Sequence, residues 1–407
     1  MNPVHLELPF FTNLLILLVS ARIFGELFER MKQPAMIGEI IAGIILGPSL
    51  LQIMHRTEEI KVISELGIFL LVIMAGLEIN IDNIFKSLRG RNIIISLLAF
   101  FIPITSGFAV GYFFNQDILT TIFIGLCVAI TALPVSVRIL MDLGKINSEV
   151  GQNIISVAIF DDVLALTILG IIMNVKDTNM SLETIAGVGM ISLLKLLIFI
   201  FLLSFVYFLL QRIVNKGNYI EDYINRMLSL LKGKEPLFAV FFAFILLFST
   251  FTETLGLHFI VGAFFASMLI SEAVIGKENI RAIERTTSNM SMGFLAPIFF
   301  AGIGLEFNIS SISNMGLLVS VIVISYASKI FGGYFGGRIA GMKSKTAFTL
   351  GVGMNARGIM ELVIANIAYR ANIINTEVFS ILVIMGILTT LTTPILLRAA
   401  FKKMEKN

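Results

Sequence analysis

Two consecutive carboxylates, Asp161 and Asp162, interrupt an apolar stretch that is long enough to span a lipid bilayer. An ionised aspartate at mid-membrane costs roughly 2.5–3.5 kcal/mol on insertion scales, so packing alone is a poor explanation for two adjacent ones. Consecutive residues on a helix point about 100° apart, so one carboxylate can face an ion cavity while the other meets a neighbouring helix. The pair therefore predicts a site that binds a cation or a proton inside the membrane. The alternative is a pair of interface acids that face a loop.

Further charged residues lie within apolar runs and need partners there. Lys329 stands about midway along its run, and the pair Asp161 and Asp162 can supply its counter-ion. Snorkelling of the lysine to the membrane surface is the alternative. Arg357 and Glu361 are four residues apart, which places them on adjacent turns of a helix. These two charges could neutralise each other, or they could contact an ion directly.

Two of the apolar runs contain residues that interrupt a helix. Pro134 has no N–H and displaces the carbonyl one turn earlier, so backbone oxygens near Thr131 lose their helical partners. In lipid these oxygens must bind a dehydrated cation, the Thr131 hydroxyl or water, unless the proline produces only a simple kink. Gly353 and Asn355, next to Arg357, combine weak helix formers with a buried cation and predict a second unwound stretch.

The composition of the 407 residues is typical of an all-α polytopic membrane protein. Hydrophobic residues make up 57% of the chain and charged residues only 14%, and the mean hydropathy is +0.93. Soluble domains carry about 25% charged residues. Apolar runs of spanning length predict about thirteen transmembrane helices. The predicted helices cover residues 9–29, 34–54, 60–80, 92–114, 118–141, 150–174, 185–213, 236–254, 258–275, 290–307, 315–340, 346–369 and 377–400.

The two halves of the chain repeat a pattern. AGLEINI at residues 75–81 matches AGIGLEFNI at 301–309, and the interruption at Thr131 matches the one at Asn355. Equivalent elements lie seven predicted helices apart, an odd number, so the second unit is predicted to be inverted. Inverted repeats with matching broken helices are typical of secondary transporters, although two short matches can arise by chance. The chain is predicted to be one membrane domain (1–407), with repeat one at about 9–174, a linker helix at about 185–213 and repeat two at about 236–400.

The distribution of charges predicts how the chain is oriented in the membrane, and the short motifs bear on whether it is an enzyme. Lys and Arg concentrate in the odd-numbered loops, whereas the even-numbered loops hold only Arg56, Lys61, Lys176 and Arg370. The positive-inside rule then predicts an external N-terminus and a cytoplasmic C-terminus in a cell (plasma or inner) membrane. No HExxH motif and no Ser-His-Asp arrangement is present, so the sequence does not suggest an enzyme.

Several of these motifs together resemble the monovalent cation:proton antiporter-2 family. They are RIFGELFERMKQPAMIGEIIAGIILGPSLL (22–51), the GLE of the third predicted helix, TALPVSVRIL, FDDVLAL and GMNARGIMELVI. The family contains bacterial Na+/H+ antiporters, glutathione-gated K+ effluxers and plant cation/proton exchangers. The resemblance spans essentially the whole chain, and the motifs occur in the family's order.

The resemblance implies a thirteen-helix fold with two crossed, discontinuous helices. It also implies a homodimer in which a core domain moves against a dimerisation domain in an elevator-like motion. Residue by residue, Asp162 corresponds to the aspartate that binds cation or proton in turn, and Asp161 to its neighbour. Lys329 corresponds to the lysine that pairs with that neighbour, Thr131 to the threonine of the unwound helix, and Glu361 to the acid of the second broken helix.

The substrate is less well defined by the motifs than the family. The double aspartate resembles electrogenic Na+-transporting members, whereas Leu133-Pro134 in TALPV resembles plant exchangers, some of which move K+. The chain stops shortly after its last predicted helix, so no nucleotide-binding regulatory domain is expected. We therefore predict Na+/H+ exchange, with K+/H+ exchange, a Na+-coupled organic-anion symporter and a channel or membrane sensor as alternatives. The expected partners are a monovalent cation, the proton and the bilayer, with no nucleic acid and no cofactor.

Overall fold

The computed structural model describes residues 9–55, 57–79, 92–173, 182–214, 235–270 and 275–405, and these residues are almost entirely helical. The basic residues Arg56 and Lys176, used above to predict orientation, lie outside them. A π-helical turn, Ser291–Leu295, connects α11 to α12, and a 3-10 turn, Ile309–Ser311, follows α12. The helices are α1 (Phe10–Arg30), α2 (Ala35–Leu46), α3 (Glu58–Glu78), α4 (Asn92–Phe113), α5 (Ile118–Ala129), α6 (Leu133–Asp142), α7 (Glu149–Ile172), α8 (Leu182–Val214), α9 (Glu235–Thr254), α10 (Phe259–Leu269), α11 (Lys277–Met290), α12 (Ala296–Glu306), α13 (Met315–Ile339), α14 (Ser344–Gly353), α15 (Ile359–Arg370) and α16 (Thr376–Glu405).

The helices agree with the prediction of a polytopic, all-helical membrane protein. Ten helical segments within the described residues are long and apolar enough to cross a membrane, and α2 and α10 are shorter apolar helices. Several predicted boundaries differ from the structure, and the largest differences are at the end of α2 and at the start of the tenth predicted helix. Helix α2 ends at Leu46, because Gly47 and Pro48 follow it. The tenth predicted helix begins earlier, since the polar helix α11 continues through the π-helical turn into α12.

Two compact units make up the chain. The first contains Met1–Gly67, Ile84–Ala165 and Phe294–Asn407, and the second contains Ile68–Asn83 and Leu166–Gly293. Every residue predicted above to form the ion site belongs to the first unit.

Helix α13 packs closely against two helices of the first unit through glycines. A Cβ on Gly333 would lie 2.5 Å from the Cα of Gly351 in α14, and one on Gly332 would lie 2.8 Å from the carbonyl oxygen of Leu98 in α4. Side chains larger than hydrogen are therefore excluded from both faces. This close packing holds α13, which carries Lys329, between α4 and α14.

The second unit has an aromatic core. The ring of Phe199 in α8 lies 6.4 Å from that of Phe248 in α9 and 6.2 Å from that of Phe265 in α10. Near the end of α3, Gly76 packs directly on α10, where a Cβ would lie 2.0 Å from the hydroxyl oxygen of Ser267. The unit is thus held together by apolar packing between its helices.

Candidate ion-binding site

Asp161 of α7 and Lys329 of α13 form a completely buried ion pair. Lys329 Nζ lies 2.8 Å from Asp161 Oδ2, and neither side chain has any exposed surface. The ammonium group also donates a hydrogen bond to the backbone carbonyl of Ala99 in α4, at 3.2 Å. The structure therefore brings together the lysine and one aspartate of the double-Asp motif, and the lysine stem does not reach the surface.

Asp162 is the other carboxylate of the motif and is also buried, with 2% of its surface exposed. It follows Asp161 on α7, so its side chain points about 100° away around the helix axis. Lys329 lies within electrostatic range of Asp162 but donates its hydrogen bond to Asp161. The two acids thus differ in their contacts although they are adjacent in sequence.

The first interruption lies between α5 and α6. Helix α5 ends at Ala129 and α6 begins at Leu133, and the backbone between them is extended at Ile130 (φ −74°, ψ 139°) and Ala132 (φ −76°, ψ 118°). Pro134 occupies the second position of α6, where its missing N–H costs little because first-turn N–H groups have no helical partner. The proline therefore starts a new helix here and does not simply kink a continuous one.

Thr131 lies in this interruption and is completely buried. Its hydroxyl donates a hydrogen bond to the carbonyl of Met354, at 3.2 Å. The same hydroxyl and the Thr131 backbone N–H also approach the carboxylate of Asp161. The threonine thus connects the double-Asp helix to the second interrupted helix.

The second interruption lies between α14, which ends at Gly353, and α15, which begins at Ile359. Asn355 closes the end of α14: its amide Nδ2 donates hydrogen bonds to the carbonyls of Gly351, at 3.1 Å, and Val352, at 3.2 Å. These are terminal carbonyls of the kind that a helix leaves without internal partners.

The two interruptions contact each other directly. The backbone N–H of Ala132 donates a hydrogen bond to the carbonyl of Ala356, at 2.8 Å. A Cβ on Gly358 would lie 2.8 Å from the Cβ of Ala132, so the glycine permits this approach. Backbone groups that have left the helical pattern therefore satisfy one another where the two interruptions meet.

Arg357 is completely buried and binds the end of α5. Its Nη1 donates to the carbonyl of Cys127, at 3.1 Å, and its Nη2 donates to the carbonyl of Val128, at 2.9 Å. The C-terminus of a helix carries partial negative charge, so a guanidinium group is well suited to this position. Although Glu361 is four residues away, the side chain of Arg357 reaches these carbonyls and forms no ion pair with it among the described contacts.

Glu361 is 1% exposed, and both oxygens of its carboxyl group lack a hydrogen-bond partner among the described residues. It is the third residue of α15, where the helix dipole favours negative charge. A cavity with room for about one water molecule adjoins it, lined also by Met36, Ile40 and Gly386. The carboxyl group is therefore buried close to the contact between the two interruptions but is not part of the Lys329–Asp161 pair.

Some contacts of the site could not be identified from side-chain patterns. The carbonyl of Ala99 that accepts from Lys329 is a backbone group and leaves no sequence signal. Thr390 donates a hydrogen bond to the carbonyl of Arg357, at 2.8 Å, and it lies in the motif TTLTTP. That run of hydroxyl side chains within an apolar helix is a signal that sequence reasoning missed.

The chemistry of the site is that of oxygen ligands and balanced charges. Among the described residues no three His, Cys, Asp or Glu side chains are grouped as they would be to hold a resident metal ion. The site instead offers carboxylates, a hydroxyl and backbone carbonyls, which are the groups that coordinate dehydrated alkali cations. Interrupted helices that meet around buried charges are typical of secondary active transporters, the class of membrane protein that these features define.

Comparisons with known proteins identify the family. The family model described as "Sodium/hydrogen exchanger, transmembrane" matches residues 14–403. The chain is 28% identical to the Na(+)/H(+)-K(+) antiporter GerN of Bacillus cereus, covering 98% of each chain. It is 30% identical to the probable Na(+)/H(+) antiporter GerT of the same organism, covering 96% of this chain and 99% of that one. This chain belongs to the sodium/hydrogen exchanger family, which confirms the resemblance seen in its motifs.

The fold also matches a solved structure. The sodium proton antiporter MjNhaP1 from Methanocaldococcus jannaschii, in its structure at pH 8, superposes with a TM-score of 0.67 over 97% of each chain. The sequence identity in this comparison is 15%, so the match describes the fold alone.

Proposed function

We propose that this protein exchanges a monovalent cation for protons across a membrane, and that Asp162 binds the cation and the proton in turn. Thr131 and backbone carbonyl oxygens of the two interruptions would complete the cation shell, while Asp161 and Lys329 form a coupled pair beside it. The observation that carries the proposal is the buried Lys329–Asp161 ion pair, next to a second buried aspartate and at the contact between two interrupted helices.

The count of buried charges supports exchange. Among the described residues of the first unit, and apart from Glu39, which lies 3.8 Å from Arg22, the buried charged residues are the acids Asp161, Asp162 and Glu361 and the bases Lys329 and Arg357. Three acids and two bases leave a net charge of −1 when all are ionised. Burying an uncompensated charge is costly, so the site favours uptake of either one monovalent cation or one proton. Competition between the cation and the proton for this negative charge is sufficient to couple cation transport in one direction to proton transport in the other.

Lys329 gives the site a way to move more than one proton per cation. When the site is protonated, the lysine holds Asp161; when a cation binds, the lysine releases that carboxylate and gives up a proton. The exchange would then carry net charge and respond to the membrane potential. The single hydrogen-bonded contact between Lys329 and the acids, at Asp161, supports this division of roles.

We extend the proposal to the repeat arrangement of the chain, its motion and its orientation in the membrane. Matching interruptions in α5–α6 and α14–α15 support two inverted repeats within about thirteen helices, at about 9–174 and 236–400, joined by a linker helix. An elevator-like motion of a core against a homodimerisation domain is what the family resemblance implies. The surplus of Lys and Arg in the odd-numbered loops supports an external N-terminus and a cytoplasmic C-terminus in a cell membrane.

The cation is proposed to be Na+ or K+. The double aspartate favours Na+, while the name of the relative GerN includes both ions. The alternative of an organic-anion symporter loses its main support, because both cations that could bind an anion are already engaged. Lys329 binds Asp161, and Arg357 binds the carbonyls at the end of α5.

Proteoliposomes with an internal pH dye provide the test. A proton gradient is imposed, Na+, K+ or Li+ is added in turn, and the wild type is compared with Asp162→Asn. The matched control is Glu149→Gln, which makes the same carboxyl-to-amide change at an exposed position on the same helix. We expect a cation-dependent pH change in the wild type and the control that disappears in Asp162→Asn.

Each outcome has a distinct meaning. The ranking of the three cations identifies the substrate. Exchange that persists in folded Asp162→Asn would contradict the role of this carboxylate. No response to any cation in folded wild-type protein would contradict the exchange function itself.

A further inference from the structure

A basic pocket lies in the first unit, away from the ion site. It is formed by the turn between α1 and α2, by the second half of α6 and by the last third of α16. Its charged residues are Lys32, Arg138, Arg398 and Asp142, and its floor includes the apolar side chain of Ile139. Three cations therefore face one carboxylate across a shallow concave surface.

Two of the three cations form no ion pair with any described residue. Arg138 forms an ion pair with Glu29, with 3.1 Å between Nη1 and Oε1. No hydrogen bond or ion pair joins the side chain of Lys32 or of Arg398 to any residue that the structure describes. Cations that converge on one pocket repel each other, so the pocket is a suitable site for an anion.

The start of α2 adds to the positive potential. Pro34, the residue that precedes α2, lines the same pocket. The first N–H groups of a helix have no internal partners and carry partial positive charge. The start of α2 therefore adds to the positive charge of the three side chains, which define the site without it.

Exposed apolar side chains lie close in sequence to the charged residues of the pocket. Met141, next to Asp142, is 62% exposed, and Ile395, three residues before Arg398, is 67% exposed. Exposed apolar side chains of this kind can contact acyl chains, while basic pockets between transmembrane helices bind lipid phosphate groups. The pocket thus combines a polar, cationic centre with an apolar edge.

We propose that this pocket binds a phosphate group, through Lys32, Arg138 and Arg398. The group can belong to the headgroup of an acidic phospholipid or to a free phosphate anion, and the experiment below distinguishes these two sources. Because the pocket shares no residue with the ion site, this proposal does not depend on the exchange function.

Binding can be measured on the purified full-length chain in a neutral detergent. The chain has no Trp, and Cys127, its single Cys, is buried, so a fluorogenic thiol reagent reports unfolding through exposure of that residue. One arm adds phosphatidylglycerol, with phosphatidylcholine as its control. The second arm adds inorganic phosphate, with chloride at equal ionic strength as its control. Native mass spectrometry counts the phospholipids that stay bound.

We expect the unfolding midpoint to rise by about 2 °C when the ligand is at about ten times its Kd. The triple variant Lys32→Gln, Arg138→Gln, Arg398→Gln should bind at least about tenfold more weakly, since each charge near a phosphate surface contributes substantially. The control variant Arg281→Gln, Arg285→Gln, Lys343→Gln removes the same charge from exposed positions outside the pocket and should bind like the wild type. Asp142→Asn removes the carboxylate that lines the pocket but leaves the Glu29 carboxylate on Arg138, and this variant should bind about fivefold more tightly.

The outcomes separate the sources and can overturn the proposal. A shift with phosphatidylglycerol alone assigns the pocket to a lipid headgroup, and a shift with inorganic phosphate assigns it to a free anion. Equal binding by the two triple variants would show that the pocket is not the site. No shift and no bound phospholipid in either arm would also overturn the proposal.

Discussion

Lys329 Nζ lies 2.8 Å from Asp161 Oδ2, and the two side chains have no exposed surface at all. The attraction within a buried pair of this kind roughly offsets the cost of removing both charges from water. Loss of one partner, in contrast, leaves an uncompensated charge in a low-dielectric interior. The pair is therefore nearly neutral for stability while intact and costly when one half is removed, and this asymmetry can be measured.

Single substitutions at the pair should destabilise the protein more than the double substitution. We expect Lys329→Gln and Asp161→Asn each to lower the free energy of unfolding by about 3–5 kcal/mol. The double variant should lose much less than the sum, because neither charge is left unpaired. The free energy of unfolding of each of the three variants can be measured by labelling Cys127, which is buried in the folded protein and becomes accessible on unfolding. Additive losses would show that the two residues are not coupled.

Electrogenicity should depend on Lys329. If the lysine carries the additional proton, Lys329→Gln should still exchange cations for protons but lose its response to an imposed membrane potential. The double variant Lys329→Gln, Asp161→Asn serves as the stable comparison, since it also lacks the titrating lysine. Exchange rates in proteoliposomes at potentials of both signs provide the measurement. A wild-type voltage response in these variants would exclude the coupling role.

The hydroxyl of Thr131 should affect cation affinity. Thr131→Val keeps the shape of the side chain but removes the oxygen that faces the Met354 carbonyl. We expect the KM for the cation to rise about tenfold, which corresponds to about 1.4 kcal/mol of lost binding. Thr131→Ser retains the hydroxyl and is the matched control. The same KM in the valine and serine variants would remove Thr131 from the cation shell.

Arg357 should be irreplaceable by lysine. Its two terminal nitrogens donate to the carbonyls of Cys127 and Val128, a forked contact that a single ammonium nitrogen cannot reproduce. We expect Arg357→Lys to lower the free energy of unfolding by about 2–4 kcal/mol, because buried carbonyls lose their donors. The control Arg338→Lys, at an exposed arginine with one bond to the Met342 carbonyl, should cost less than about 1 kcal/mol. Equal losses at both positions would contradict this interpretation.

The predicted positions of the helix interruptions came from local chemistry. Pro134 cannot donate a backbone hydrogen bond, and the residues around Asn355 include several glycines, so both places are poor continuous helix regardless of the rest of the fold. The extended backbone between α5 and α6 and the break between α14 and α15 agree with that expectation. The sequence did not reveal what the freed backbone groups bind. The link from Ala132 to Ala356 joins residues more than two hundred positions apart, and backbone groups carry no sequence signal.

The partner of Arg357 illustrates the limit of spacing arguments. A separation of four residues places Glu361 within reach, and spacing alone therefore suggests an ion pair. In the structure the guanidinium group instead binds the end of α5. Those carbonyls are available only because α5 stops at Ala129, and they carry the negative end of its dipole. A partner created by another helix cannot be found from the local sequence.

The sequence by itself determined the class of protein and the identity of its charged residues. Long apolar runs require a membrane, and charges within them require a function or a partner, because hydrocarbon cannot solvate them. The tertiary structure decided which charge meets which. Asp161 and Asp162 are adjacent and chemically identical, yet Lys329 bonds only to the first. Which aspartate Lys329 contacts depends on the distance between α7 and α13 and on the direction of each side chain. Both depend on packing between helices that are far apart in the chain.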